Sequence, residues 1–150
     1  MSPEAGKWHQ IVISDPNFLS GESVHSFTSR IVMHFGIKWI RINDIEGAVW
    51  GLVGRARSLL PAAEFMSLVK QAAQYDWAFF FMYLSDPPHW WEDGNNDKMD
   101  IRRSDLTVRL ADDTDIFVYT RNGDIASQIQ RWYPSASYKL IQFECLDIPY

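Results

Sequence analysis

At 150 residues, with 47% hydrophobic and 22% charged side chains, the chain is long enough to bury one proper core and too apolar to be disordered. No apolar run reaches the ~18 residues that span a bilayer, the opening Met-Ser-Pro-Glu-Ala-Gly-Lys-Trp lacks the apolar centre of a signal peptide, and a lone Cys145 cannot form an internal disulfide. The expectation is a cytoplasmic domain with no membrane segment, in which Cys145 is a small buried side chain.

Residues 1–6 read as a frayed start. Trp8 to Ile13 is a first strand, and Ser14-Asp15-Pro16-Asn17 is a turn. Ser20 can cap a helix from Gly21 to Phe35, because Val24, Phe27, Ile31 and Phe35 recur at helical spacing and Gly36 offers a stop. Ile37 to Ile42 alternates as a second strand. Asn43-Asp44-Ile45-Glu46-Gly47 then reads as a hairpin loop leading to a third strand, Ala48 to Val53. A helix from Asp44 through Ser58 competes with it, although Gly47, Gly51 and Gly54 would each weaken that helix by ~1 kcal/mol relative to alanine.

Pro61 suits the first turn of a second helix reaching about Gln74, with Phe65, Leu68, Val69 and Ala72 as its buried stripe. Trp77 to Leu84 follows, eight apolar residues without a charge, as expected of a strand buried on both faces. Pro87-Pro88 stops it, since neither proline can donate to a ladder. Leu106 to Leu110 and Ile116 to Thr120 are two further strands about a turn at Ala111–Asp115. Asn122-Gly123-Asp124 starts a helix through Arg131 with Ile125 and Ile129 inward, Pro134 follows its end, and Tyr138 to Leu146 is a last strand. The fold expected is one α+β domain over residues 1–150, a mixed and mostly antiparallel sheet with about three helices in the order βαββαβ-ββαβ. The first part has the element order of a ferredoxin-like split βαβ unit.

Charge is unevenly spread. Between Asp86 and Asp115 nine acids (Asp86, Glu92, Asp93, Asp97, Asp100, Asp105, Asp112, Asp113, Asp115) face four bases (Lys98, Arg102, Arg103, Arg109), so this segment alone carries the formal −5. Such a field attracts cationic partners and repels nucleic acid. A basic footprint of Lys38, Arg41, Arg55 and Arg57 is weak beside it. A plain solvated acidic loop is the competing account.

Catalytic and metal motifs fail on inspection. Asp93-x-Asn95-x-Asp97 imitates the start of an EF-hand loop, but Lys98 and Ser104 stand where glycine and the bidentate glutamate are required. Asp86, His89 and Glu92 or Asp93 supply one nitrogen donor where zinc wants several, and His9, His25 and His34 show no ligand spacing. Ser67-Leu68-Val69-Lys70 matches S-x-x-K without its companion motifs. Gly47, Gly51 and Gly54 match neither phosphate-binding fingerprint. No catalytic residue, metal or cofactor is expected.

The constellation left is Trp90-Trp91 beside Glu92, Asp93, Asp97 and Asp100. Exposed indoles are rare unless they bind, and carboxylates around them pair with Arg or Lys of a partner. The competing reading folds both rings into the core. In size, acidity and element order the chain resembles bacterial immunity proteins, which neutralise secreted toxins, many of them basic nucleases. That resemblance implies a non-enzymatic inhibitor that occludes a basic protein partner through Trp90, Trp91 and the neighbouring acids. A small-molecule-binding or enzymatic domain with an aromatic pocket is the alternative, and a homo-oligomer joined by exposed rings is a third.

Overall fold

In the computed structural model, residues 6–14, 20–48, 58–87, 97–111 and 114–148 are described. The elements are β1 (Lys7–Ser14), α1 (Gly21–Phe35), β2 (Trp39–Ala48), β3 (Leu59–Pro61), α2 (Ala62–Val69), β4 (Gln74–Tyr83), α3 (Asp97–Arg103), β5 (Leu106–Ala111), β6 (Asp115–Thr120), α4 (Gly123–Trp132) and β7 (Ser137–Gln142), then a 3-10 turn at Phe143–Cys145. They build an α+β fold on one seven-stranded sheet of order β3-β2-β4-β5-β6-β1-β7. Every described neighbour pair is antiparallel. The expected element order holds, with α3 as an additional helix. Pairing differs from a ferredoxin-like sheet: β5 and β6 lie between β4 and β1, and β1 is enclosed by β6 and β7. Among the described residues no helix is long and apolar enough to cross a membrane.

Period-two alternation gives the sheet two buried faces. On the first, Ile40 and Ile42, Phe80 and Met82, Val108 and Leu110, and Ile116 and Val118 pack under Val24, Phe27 and Ile31 of α1, Phe65 and Val69 of α2, and Ile125 and Ile129 of α4. On the second, Phe79, Phe81, Tyr83, Phe117 and Tyr119 lie under Ile101 of α3 and under Phe143 and Leu146. The helix ends follow capping chemistry. Ser20 accepts from the Ser23 amide at 3.1 Å, and Gly36 takes φ 71 at the C-cap. Asn122 accepts from the amides of Asp124 and Ile125 at 2.9 and 3.2 Å.

Several boundaries differ from the sequence reading. Asn43 to Gly47 is not a hairpin loop; β2 runs through it and stays paired with β4, shifting register between Asn43 and Glu46 and again between Glu46 and Gly47. Its turn-forming residues are spent on a bulge instead. Asp44 adopts φ 47 and Gly47 φ 126, and a Cβ on Gly47 would fall 2.5 Å from the Gln74 carbonyl oxygen. The rival helix from Asp44 is excluded over 44–48, which is strand, and the expected strand Ala48–Val53 lies outside the described residues beyond Ala48. Pro61 ends β3 rather than opening α2, and α2 stops at Val69 because β4 already starts at Gln74. The last strand ends at Gln142: the 3-10 turn folds Phe143 and Leu146 onto the second face and leaves Cys145 exposed, not buried as expected.

The apolar run at Trp77 also divides. Ala78 to Tyr83 is buried, whereas Trp77 is 38% exposed. Phe80, fully enclosed and edge-on to Phe65 at 4.9 Å, is central to the first face. Phe80→Ala is expected to lower the unfolding free energy in urea by ~3–5 kcal/mol, and Trp77→Ala by well under half of that, because only Phe80 leaves a sealed cavity.

Candidate binding site

Of the six expected partner-binding residues, Trp90, Trp91, Glu92 and Asp93 lie outside the described residues, as does the side chain of Asp97 at the start of α3. Asp100 requires correction. It is 2% exposed and turned into the second face, where Nη1 of Arg41 donates to its Oδ1 at 3.1 Å. Burial pushes its carboxyl above the usual range, and the Arg41 and Arg103 guanidiniums pull it back down. It holds α3 to β2 and is buried rather than on the surface. Asp100 and Ile101 of the helix, with Ser104 just after it, turn inward, and Lys98, Met99 and Arg102 are left outside. Among the described side chains this outer face is basic and apolar.

Other acids of the negative segment are engaged in the fold as well. The Trp39 indole donates to Asp86 at 2.6 Å, the Leu84 amide to Asp105 at 2.6 Å, and the Ser14 hydroxyl to Asp115 at 2.7 Å. The Asp105 contact satisfies the Leu84 amide just past the end of β4, whereas the other two lie at the exposed surface. Four of the segment's nine acids, Asp86, Asp100, Asp105 and Asp115, thus accept hydrogen bonds within the fold, and among the described residues Asp100 alone of these four is in an ion pair.

A second buried guanidinium belongs to Arg109. The strand Leu-Thr-Val-Arg-Leu-Ala puts it on the second face with Thr107 and Ala111. Its Nη1 donates to the Tyr119 hydroxyl at 2.9 Å and to the Asp147 carbonyl at 2.6 Å, and its plane lies 4.3 Å from the centre of the Phe117 ring. The Tyr119 hydroxyl also donates to the Asp147 carbonyl, and the Asp147 amide donates to Gln10 at 2.7 Å. These bonds bind the C-terminal segment across the sheet. Burial raises the Tyr119 phenol to about 12, and the adjacent Arg109 limits the rise.

Beside Arg109 a cavity of about 290 Å³ opens between the β2 bulge and the adjoining parts of β4 and β5. Asp44, Ile45 and Glu46 form its lip, Trp77 and Phe79 its aromatic wall, and Ala78, Arg109 and Leu110 the remainder. The bulge places these groups together: Glu46 is the register partner of Trp77. Asp44 and Glu46 are exposed, so an indole stands between carboxylates and an apolar opening. That chemistry was expected at Trp90 and Trp91 and is present at Trp77. Sequence reading missed it because Trp77 opens an apolar run and Glu46 was assigned to a loop. Arg109 counted there only as one base opposing nine acids. The site can hold a ligand or a side chain. It places no nucleophile beside a base, and among the described residues no group of three His, Cys, Asp or Glu could hold a metal ion.

The Arg41–Asp100 pair tests the account of α3. Arg41→Met or Asp100→Leu alone should each cost ~3–5 kcal/mol, because each leaves one buried charge uncompensated. The double substitution should recover most of that loss in a denaturant double-mutant cycle. No family model, no curated protein and no solved structure matches the chain.

Proposed function

We propose that the chain is a non-enzymatic protein-binding module, an inhibitor of the immunity type that covers a basic protein partner. The observation that supports this reading is the half-exposed Trp77 ring flanked by Asp44 and Glu46 at the mouth of an apolar cavity. A partner's aliphatic or aromatic side chain enters against the indole, and its Lys or Arg groups meet the two carboxylates. The aromatic contact provides most of the affinity and the charges provide steering and selectivity. The formal charge of −5 works in the same direction, favouring a cationic partner over nucleic acid. Trp90, Trp91, Glu92 and Asp93 remain candidates for the same surface on sequence grounds.

A test uses the full chain as bait in its native host, followed by co-expression with whatever basic protein it captures. Growth inhibition by that protein should be relieved by the wild type. Trp77→Ala should weaken the complex by ~2 kcal/mol or more, and Glu46→Lys should slow association, with the effect shrinking at high salt. Trp90→Ala and Trp91→Ala, measured in parallel, assign the affinity between the two stretches. A captured partner that binds all four variants with unchanged affinity rejects both surfaces.

A further inference from the structure

On the outer face of α3 two hollows run into each other. One, of about 310 Å³, lies by Met99 and Arg103, and the other, of about 300 Å³, lies by Glu144, Leu146 and Ile148. Lys98, Arg102 and Phe143 line both, so the two form one groove, with α3 as one wall and the segment after β7 as the other. Among the described residues, three cations and one acid line it, in a chain whose formal charge is −5. The sign of this surface is therefore opposite to that of the molecule as a whole.

Arg102 is the centre of the groove. Its guanidinium carbon lies over the Phe143 ring, 4.2 Å from the ring centre. A guanidinium over an aromatic ring uses its face there and keeps its N–H groups for an acceptor. Glu144 approaches in that role, with Oε1 3.6 Å from Nη2, too long for a hydrogen bond, and both side chains are more than half exposed. Such a pair is screened by water and yields readily to a better-placed carboxylate. The ring itself is closed to a nucleic-acid base: Arg102 lies over it, Trp8 packs 5.2 Å from it, and Phe143 is 9% exposed. Single-strand binders need open ring faces, and the overall negative charge repels a long polyanion. The two walls suit a peptide better. An extended chain turns alternate side chains to opposite sides, so acids at every second position meet Lys98 and Arg102 on the α3 wall while the residues between them meet Leu146 and Ile148.

We propose that this groove binds an extended acidic peptide segment, its carboxylates on Arg102 and Lys98 in place of Glu144 and its apolar side chains against Leu146 and Ile148. The assignment shares no lining residue with the cavity at the β2 bulge and takes a ligand of opposite charge, so it stands apart from the basic-partner reading.

The test is fluorescence anisotropy of the purified full chain with a labelled hexapeptide of alternating Glu and Leu, the same peptide with Gln for Glu, and a single-stranded oligothymidylate. The Glu peptide should bind, with an affinity that falls as salt is raised. The Gln peptide should bind ~10-fold more weakly or worse, and Arg102→Gln should weaken the Glu peptide by a similar factor. Lys98→Gln should weaken it about threefold, and Glu144→Gln, which removes the competing carboxylate, should strengthen it about threefold. All three are exposed residues, and a gain in Glu144→Gln cannot come from damage to the fold. The proposal is overturned by no binding of the Glu peptide at millimolar concentration, by equal binding of the Gln peptide, by unchanged affinity in Arg102→Gln, or by unchanged or weaker binding in Glu144→Gln. Oligothymidylate bound more tightly than the Glu peptide and lost in Arg102→Gln would assign the groove to nucleic acid. A dimer dissolved by Arg102→Gln in sizing chromatography would assign it to a second copy, and either result overturns the peptide assignment as well.

Discussion

A guanidinium taken out of water must recover its lost hydration from the protein, and two strands of this sheet place one on the same inner face. Arg41 of β2 and Arg109 of β5 are 2% and 6% exposed. Hydrophobic burial could have covered that face without them, but the elements lying on it could then have settled in several ways. The two cations restrict the choice. Arg41 takes Asp100 and so sets how α3 lies across the sheet. Arg109 takes a phenol and a main-chain carbonyl, and so sets where the chain runs after the 3-10 turn. Buried ion pairs are poor sources of net stability, and their better-attested role is to specify one arrangement among several. In this fold the two covering segments, one mid-chain and one C-terminal, are each held by one arginine.

The same constraint separates the two guanidiniums in character. The Arg41 charge is balanced by a carboxylate within its own fold. Among the described residues the Arg109 charge is answered by neutral oxygens only, and it lies beside an opening. The β2 bulge creates that opening. By adding residues between Asn43 and Gly47 it lifts Asp44 and Glu46 to the rim and lets the Trp77 ring reach solvent. Strand irregularities recur where proteins place function, because they redirect side chains that a regular ladder would keep in line. Two acids and a buried guanidinium thus border one opening.

Most of the secondary structure was legible in the sequence because its signals were local. Ser20, the stripe from Val24 to Ile31 and Gly36 defined α1 completely, and Asn122 with Ile125 and Ile129 did the same for α4. Pairing was less legible. Nothing near Trp8 indicates that β1 will sit between β6 and β7 rather than against the strands that follow it. At Asn43 to Gly47 the composition reads as a hairpin loop, but a turn and a bulge require the same residues, and only the partner strand distinguishes them. Helix α3 escaped notice because seven residues, with acids at 97 and 100 and bases at 98, 102 and 103, show little amphipathic pattern. The candidate site was misjudged for a related reason. Charge counted along the chain treats Asp100 as surface, whereas its counter-ion is Arg41, 59 residues earlier. A carboxylate's availability depends on tertiary neighbours that composition does not record.

The placement of β1 has a consequence for how the molecule is assembled. His9 to Ser14 can pair with β6 only once residues 115–120 exist, and Lys7 to Val12 with β7 only once residues 137–142 exist. During synthesis β1 therefore emerges without either neighbour, carrying Trp8, Ile11, Val12 and Ile13 unshielded until residues 115–142 have been made. Closure pairs residues more than 100 positions apart, such as His9 with Thr120, which makes for slow folding and a long interval in which a chaperone has an apolar strand to hold.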